Sequence, residues 1–192
     1  MIRNQLYIDP MVMKIDTKRL IIRPWLQEDK KPFRKMSADM EVMKYFPNTL
    51  SSSEADELID RLSVLIKKKS FGVCALECKE TNEFAGCVGL HDIHADFHFA
   101  PATEILWRLR PKFWGKGYAS EAAHACLKFG FQELGLDEII AYTTWNNVPS
   151  QNLMKRLGMK YSASFMHPQL AIEHNLCNHV LYKLRVQNYR GL

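Results

Sequence analysis

The sequence predicts an α/β fold, and three observations carry that prediction. Between Thr103 and Phe131 the apolar period changes from that of a strand to that of a helix across a turn with glycines at 115 and 117. Residues 138–158 repeat the strand-then-helix order, while 71–92 reads as two β-type runs around a polar turn. The chain has 192 residues, 47% hydrophobic and 24% charged, which are the size and composition of one globular domain. No repeat, low-complexity tract or linker interrupts it, so residues 1–192 are read as a single domain.

Taken in order, Met1 to Met13 has no clear period and carries further methionines at 11 and 13, so it is read as an N-terminal extension. Met1, Met11 and Met13 are all open as the biological start. Leu20 and Ile22 alternate with Ile21 and Arg23 in a strand that ends at Pro24. Asp29 is placed to cap a helix with Pro32 in its first turn, running to about Ala38. A second short helix begins at Asp39, with Val42, Met43 and Phe46 inward, and stops before Pro47. Ser51 and Glu54 form the pattern of a capping box, opening a third helix with an apolar stripe of Leu58, Ile59, Leu62, Leu65 and Ile66. Lys67 to Lys69 suit its negative end.

Strands follow at 71–77 and 83–92, joined at the polar turn 80–82. His91, His94 and His98 lie in a loop-like stretch without matching cysteine or carboxylate spacing, so no metal site is read there. In the central strand Ile105, Trp107 and Leu109 alternate with Glu104, Leu106, Arg108 and Arg110, until Pro111. From Tyr118 the residues Ala122, Ala125, Cys126 and Phe129 recur at helical spacing, with Ser120, His124, Lys128 and Gln132 opposite, and Gly130 and Gly135 frame the helix end. A β-branched and aromatic strand covers 138–145. Asn147 then caps a helix with Pro149 in its first turn, an inner face of Leu153, Met154 and Leu157, and Gly158 as its stop. Strands at 160–166 and 180–186 close the chain around the loop His167 to His179.

A strand, a glycine turn and a helix in succession gather unpaired N–H groups and a positive dipole end at one point, where side-chain-free glycines let a ligand reach the backbone. That is a seat for phosphate. A P-loop would need four residues between its glycines, and here there is one. A dinucleotide fingerprint would need a third glycine where Ser120 stands, and Glu138 about 20 residues on is weak support without it.

The stretch resembles motif A of the GNAT superfamily of acyl-CoA N-acetyltransferases, Arg/Gln-x-x-Gly-x-Gly/Ala between a strand and a helix. Gly115 and Gly117 match both glycines, and Lys112 stands where Arg or Gln is usual. Asn147, Ser150, Arg156 and Gly158 match motif B, with Met159 in place of the usual Phe. Asp16, Arg19-Leu20, Arg23-Pro24 and Asp29 at the start, with His167-Pro168 and His179 to Tyr182 at the end, resemble the RimJ/RimL-like branch, which acetylates ribosomal proteins. The likeness covers roughly residues 15–186. It implies a mixed, mostly antiparallel sheet of about six to seven strands with flanking helices, its central strands parted to hold acetyl-CoA.

The resemblance also implies roles. The diphosphate would sit on N–H groups of Phe113, Trp114, Gly115, Lys116, Gly117, Tyr118, Ala119 and Ser120, helped by the cations of Lys112 and Lys116. The pantetheine arm would pair with Trp107, Arg108 and Leu109, and the amide of Leu106 or Trp107 would face the thioester oxygen. Asn147 and Ser150 complete the donor site. Glu104 occupies the place of a general base, against a purely structural ion pair with Arg108 or another strand neighbour. Ser150 is the candidate to hydrogen-bond the thiol sulfur. Many family members carry a tyrosine acid where this chain has Met154, which has no proton to give. Tyr45, Phe46 and Asn48 fall on the acceptor wall.

The expected activity is therefore transfer of an acetyl group from acetyl-CoA, with no metal, to a primary amine on a protein N terminus or small molecule. A short acidic peptide with N-terminal Ser or Ala is the favoured acceptor, since the net charge is +5. A non-catalytic acyl-CoA-binding regulatory module is the alternative. No nucleic-acid motif accompanies the positive charge. Five cysteines without a C-x-x-C pair read as reduced core residues of a cytoplasmic protein. No apolar window is long enough to span a membrane and no secretory leader is evident. Oligomeric state is left open, a homodimer included.

Overall fold

The computed structural model describes residues 13–94 and 96–191. Its centre is one eight-stranded sheet: β1 (Ile15–Asp16), β2 (Leu20–Arg23), β3 (Val73–Cys78), β4 (Glu83–Ile93), β5 (Ala102–Leu109), β6 (Glu138–Thr144), β7 (Lys160–Met166) and β8 (Asn178–Arg185). The spatial order is β1-β2-β3-β4-β5-β6-β8-β7. Every neighbouring pair is antiparallel except β5 and β6. The mixed, mostly antiparallel sheet with flanking helices agrees with the expectation. The strand number exceeds six to seven because two residues, Ile15 and Asp16, form a rim strand too short to carry a period.

Helices α1 (Lys30–Ser37), α2 (Met40–Met43) and α3 (Ser52–Lys69) cover one face, and α4 (Tyr118–Gln132) the other, with α5 (Val148–Arg156) beside α4. The capping box at Ser51 and Glu54 forms at the start of α3, satisfying two orphan donors reciprocally. Ile59 and Ile66 are buried as the stripe requires, whereas Leu65 is 45% exposed at the stripe's edge. Asp39 caps α2, and Val42 and Met43 point inward, but Phe46 is 43% exposed. Phe46 lies on the wall of a cleft rather than in the core.

Two local readings are corrected. Asp29 makes no side-chain cap to α1. Its buried carboxylate instead takes both terminal nitrogens of Arg23, at 2.6 and 3.0 Å, and the Leu26 N–H at 2.8 Å. A bidentate guanidinium stabilises a buried carboxylate far more than one amide of a frayed helix end can. Gly130 lies inside α4, not at its end: an added Cβ would meet Ile139 Cδ1 at 2.7 Å and Leu90 Cδ1 at 2.9 Å. The helix crosses the sheet so closely there that only hydrogen fits. Of the expected N-terminal extension, residues 1–12 lie outside the described residues. Met13, however, belongs to the core, 2% exposed, with its N–H on the Ser70 carbonyl.

Candidate active site

Strand β5 has two different edges. One is paired with β4 without interruption, from Gly86 opposite Leu109 to Ile93 opposite Ala102. The other meets β6 at a single register pair, Glu104 with Ile140. Beyond that pair the strands part, and backbone groups of Ile105 to Leu109 are left without a strand partner on that side. The gap opens into a cleft of ≈ 1300 Å³, walled by 105–109, Tyr142 to Thr144, the glycine turn, the start of α5 and the loop Tyr45 to Asn48.

The glycine turn is built as an open cradle. Gly115 and Gly117 have φ of 70° and 76°, in the left-handed region where a side chain is strained. A Cβ on Gly115 would meet nothing within 4 Å, and one on Gly117 only Arg19 Nη2 at 3.4 Å. Gly117 also caps α4 without a side-chain bond, and the first amide of the helix bonded to its backbone is Glu121 N–H to Gly117 O at 3.0 Å. Among the described residues, no hydrogen bond uses the N–H groups of residues 115–120. Six free donors at a positive dipole end, with no side chain over them, suit a diphosphate.

The expected donor set narrows here. Phe113 and Trp114 give their N–H groups to Arg110 and Pro111 carbonyls in the turn of Pro111–Phe113, so they are spent. Lys112 is held by Glu83 at 2.5 Å, and neither Lys112 nor Lys116 lines the cleft. The cation beside the turn is instead Arg19. Its Nη1 donates to the Lys116 carbonyl at 2.8 Å, its Nε pairs with Glu121 at 2.7 Å, and its guanidinium lies 4.6 Å over the Tyr118 ring. Thr17 and the Arg19 amide hold the same carboxylate.

Glu104 is 6% exposed and faces the cleft. Of the expected partners, Arg108 or another strand neighbour, it is the neighbour His91 that meets it, directly across the strands, with Nε2 2.7 Å from Oε2. Burial pushes the Glu104 carboxyl above the ordinary range, and the His91 hydrogen bond and charge hold that rise in check. For His91, burial opposes the imidazolium, yet Glu104 and Asp92 outweigh it and its pKa rises. The two groups therefore titrate as a coupled pair. Tyr142 lies nearby on β6, its phenol kept protonated by burial and by the Glu104 charge. Around it gather Phe97, Phe99, Phe165, His167 and His179. Burial lowers the pKa of both His167 and His179, so they are neutral at pH 7.

At the other wall, Asn147 Oδ1 accepts the Ser150 N–H at 3.3 Å and its Nδ2 donates to Thr143 at 2.8 Å, tying α5 to β6. Ser150 lines the cleft, and its hydroxyl has no partner among the described residues. Met154 sits at the bottom, 2% exposed. The cleft thus brings together Glu104, the strand 106–109, the turn and Ser150. His91 and Tyr142 join them on the cleft wall, in roles that their own sequence neighbourhoods do not announce, and Arg19 braces the turn beside it. Among the described residues no His, Cys, Asp or Glu cluster is arranged to hold a metal, and no helix is long and apolar enough to cross a membrane.

A family profile described as an acetyltransferase (GNAT) domain matches residues 19–160. An uncharacterized N-acetyltransferase of Bacillus subtilis strain 168, YnaD, is 33% identical over 153 residues, 80% of this chain and 86% of the relative. The spermidine N(1)-acetyltransferase of Escherichia coli strain K12 is 26% identical over 76% of this chain and 75% of its own length. Among solved structures, a GNAT-family acetyltransferase from Bacillus anthracis superposes with a TM-score of 0.75 at 28% identity, covering 90% of this chain and 98% of the other. The free amides of the glycine turn, the parted strands above them and these relatives converge: the chain belongs to the GNAT acetyltransferase family and is an N-acetyltransferase whose fold implies acetyl-CoA as donor.

Proposed function

We propose that the protein transfers acetyl from acetyl-CoA to a primary amine by direct attack on the thioester. The observation that carries this reading is the single cleft joining the cradle of residues 115–120, the unpaired edge of β5 and the buried Glu104. Bound acetyl-CoA supplies the activated acyl group. Amides of Gly115 to Ser120 hold the diphosphate, and the free edge of Trp107 to Leu109 pairs with the pantetheine arm. The amide of Leu106 or Trp107 stabilises the charge that develops on the thioester oxygen. Glu104, directly or through one water, takes a proton from the incoming ammonium. An α-amine, with a pKa of about 7.7 to 8.0, is partly neutral near pH 7 and needs little such help. Ser150 hydrogen-bonds the departing sulfur in place of an acid at Met154.

The acceptor is proposed to be a protein N-terminal α-amine or a small-molecule amine, within the RimJ/RimL-like branch that the Asp16, Arg19-Leu20 and Arg23-Pro24 pattern supports. A polyamine, the acceptor named for the E. coli relative, is the second reading. Five free buried cysteines fit a reducing compartment such as the cytoplasm. Thiol release from acetyl-CoA, followed across N-terminal peptides, amino acids and polyamines, tests the activity. For the donor seat, Gly117→Asp places a carboxylate against the phosphates, so calorimetry should show CoA binding lost. Undiminished binding by that variant would remove the basis of this reading.

A further inference from the structure

Four of the charged side chains that line the cleft pair with one another. Glu41 holds Lys44 at 2.6 Å, and Glu104 holds His91 at 2.7 Å. His167 and His179 are neutral at pH 7 because burial lowers their pKa. Two cations are left without a carboxylate among the described residues, Arg156 and Arg108. Arg156 is exposed in the last turn of α5, where a cation offsets the helix dipole. Arg108 has no such account. It is half-buried, and its guanidinium lies 5.3 Å from the Phe33 ring centroid and 5.0 Å from that of Phe46. Among the described residues, its Nη1 donates to the Met43 sulfur at 3.0 Å, with the Cys87 thiol beside it across the strands. A guanidinium has five N–H donors, and thioether and thiol are weak acceptors. Aromatic rings stabilise such a cation and fix its plane, but they leave its hydrogen-bonding edge unsatisfied and open to the cleft.

Position decides what that edge serves. The β4–β5 register is unbroken along β5, so Glu104, Leu106 and Arg108 share one face. That face carries Glu104 into the cleft and Arg108 against Phe33 of α1, Met43 of α2 and Phe46, the last a residue expected on the acceptor wall. Glu104 and Arg108 stand four residues apart, about 13 Å along the backbone, and both side chains are long enough to shorten that span. The phosphate cradle lies further along the chain, at 115–120.

We propose that Arg108 binds an anionic group of the acceptor, so that the acceptor is a compact zwitterion. Its ammonium meets Glu104 and its carboxylate meets Arg108, at roughly the spacing of a dipeptide. This rests on the acetyltransferase reading of the cleft. It also disfavours a polyamine, since the cleft's two lining carboxylates, Glu41 and Glu104, are both engaged and the free charge is positive.

The test compares Ala-Ala, its C-terminal amide and spermidine as acceptors with acetyl-CoA, in the wild-type chain and in Arg108→Met and Arg108→Lys. A charged hydrogen bond of ordinary strength corresponds to about tenfold or more. Wild type should therefore favour the free acid over the amide by that factor in kcat/KM, mainly through KM. Arg108→Met should erase the preference and Arg108→Lys partly restore it. Calorimetry of the two dipeptides into the CoA-loaded protein reads the same discrimination without turnover. Equal affinity for acid and amide, no binding of either, or a preference for spermidine would overturn the proposal while leaving the acetyltransferase reading intact. So would a loss of CoA affinity in Arg108→Met with the acid-to-amide ratio unchanged, which would assign the guanidinium to the donor. Failure of wild type to bind CoA at all would instead sink the reading of the cleft.

Discussion

A carboxyl group as deeply covered as Glu104 is costly unless something holds its charge. His91 does, and the pair explains how one residue can be both buried and basic. As base, Glu104 must be deprotonated, so activity falls as pH drops through its folded-state pKa. Burial places that value above the usual range, and His91 pulls it down. Replacing His91 by Phe removes the pull, so the acid limb of the kcat/KM profile should move to higher pH. Glu104→Gln should lower kcat/KM by about 10²-fold, most where pH lies above the Glu104 pKa but below that of the amine, so that the carboxylate is charged and the acceptor still carries its proton. Unchanged profiles in both variants would return the pair to a structural role. Glu104 was singled out through the family resemblance, from its place at the start of the strand before the glycine turn. Its partner was not, because His91 lies 13 residues upstream and meets Glu104 only through the β4–β5 register.

At the level of elements, the first turn of α4 is fixed by the turn between β1 and β2, about a hundred residues earlier in the chain. Thr17, the Arg19 amide and the Arg19 side chain all bond Glu121. A carboxylate there suits the helix dipole, but it would repel a phosphate seated one turn away. Arg19 offsets that charge and braces the Lys116 carbonyl, which keeps the neighbouring amides turned outward. Arg19→Gln should weaken CoA binding about tenfold by calorimetry, within the range for charged hydrogen bonds, with Arg19→Lys intermediate. Equal affinity in both variants would leave Arg19 as packing for Tyr118. The Arg19-Leu20 match at the start of the chain hinted at this contact without giving its target. Lys112 shows the converse: its motif position is local, but the carboxylate it pairs with, Glu83, comes from β4.

Across the whole molecule, what could be read from sequence is what neighbours in sequence decide. Periods, caps and the glycine turn placed the major helices and strands within a few residues of their observed ends, and Ser51, Asp39 and Asn147 all cap as their spacing implies. The two-residue β1 escaped notice because two residues carry no period. Gly130 was misread because helix-to-sheet distance, not helix termination, demands a glycine there. The strand order β6-β8-β7 and the unzipped edge of β5 depend on pairings between distant segments, and only the family resemblance anticipated the parted strands.

The four tryptophans occupy unlike environments. Trp25 is nearly enclosed, with its indole N–H on the Val73 carbonyl at 2.8 Å, and Trp145 is 58% exposed beyond the end of β6. Trp107 and Trp114 both line the cleft, and the Trp114 indole is pinned to the Leu109 carbonyl at 2.8 Å while its face stays 41% exposed. The donor seat therefore carries its own optical reporter. Stacking or shielding by a bound nucleotide thioester should change the steady-state emission of the unlabelled protein, and the signal should saturate with CoA at the concentration calorimetry gives. In Trp114→Phe most of that change should vanish while binding persists. If the emission responds fully without Trp114, the light comes from Trp107, and the ligand's footprint lies nearer the strand than the turn.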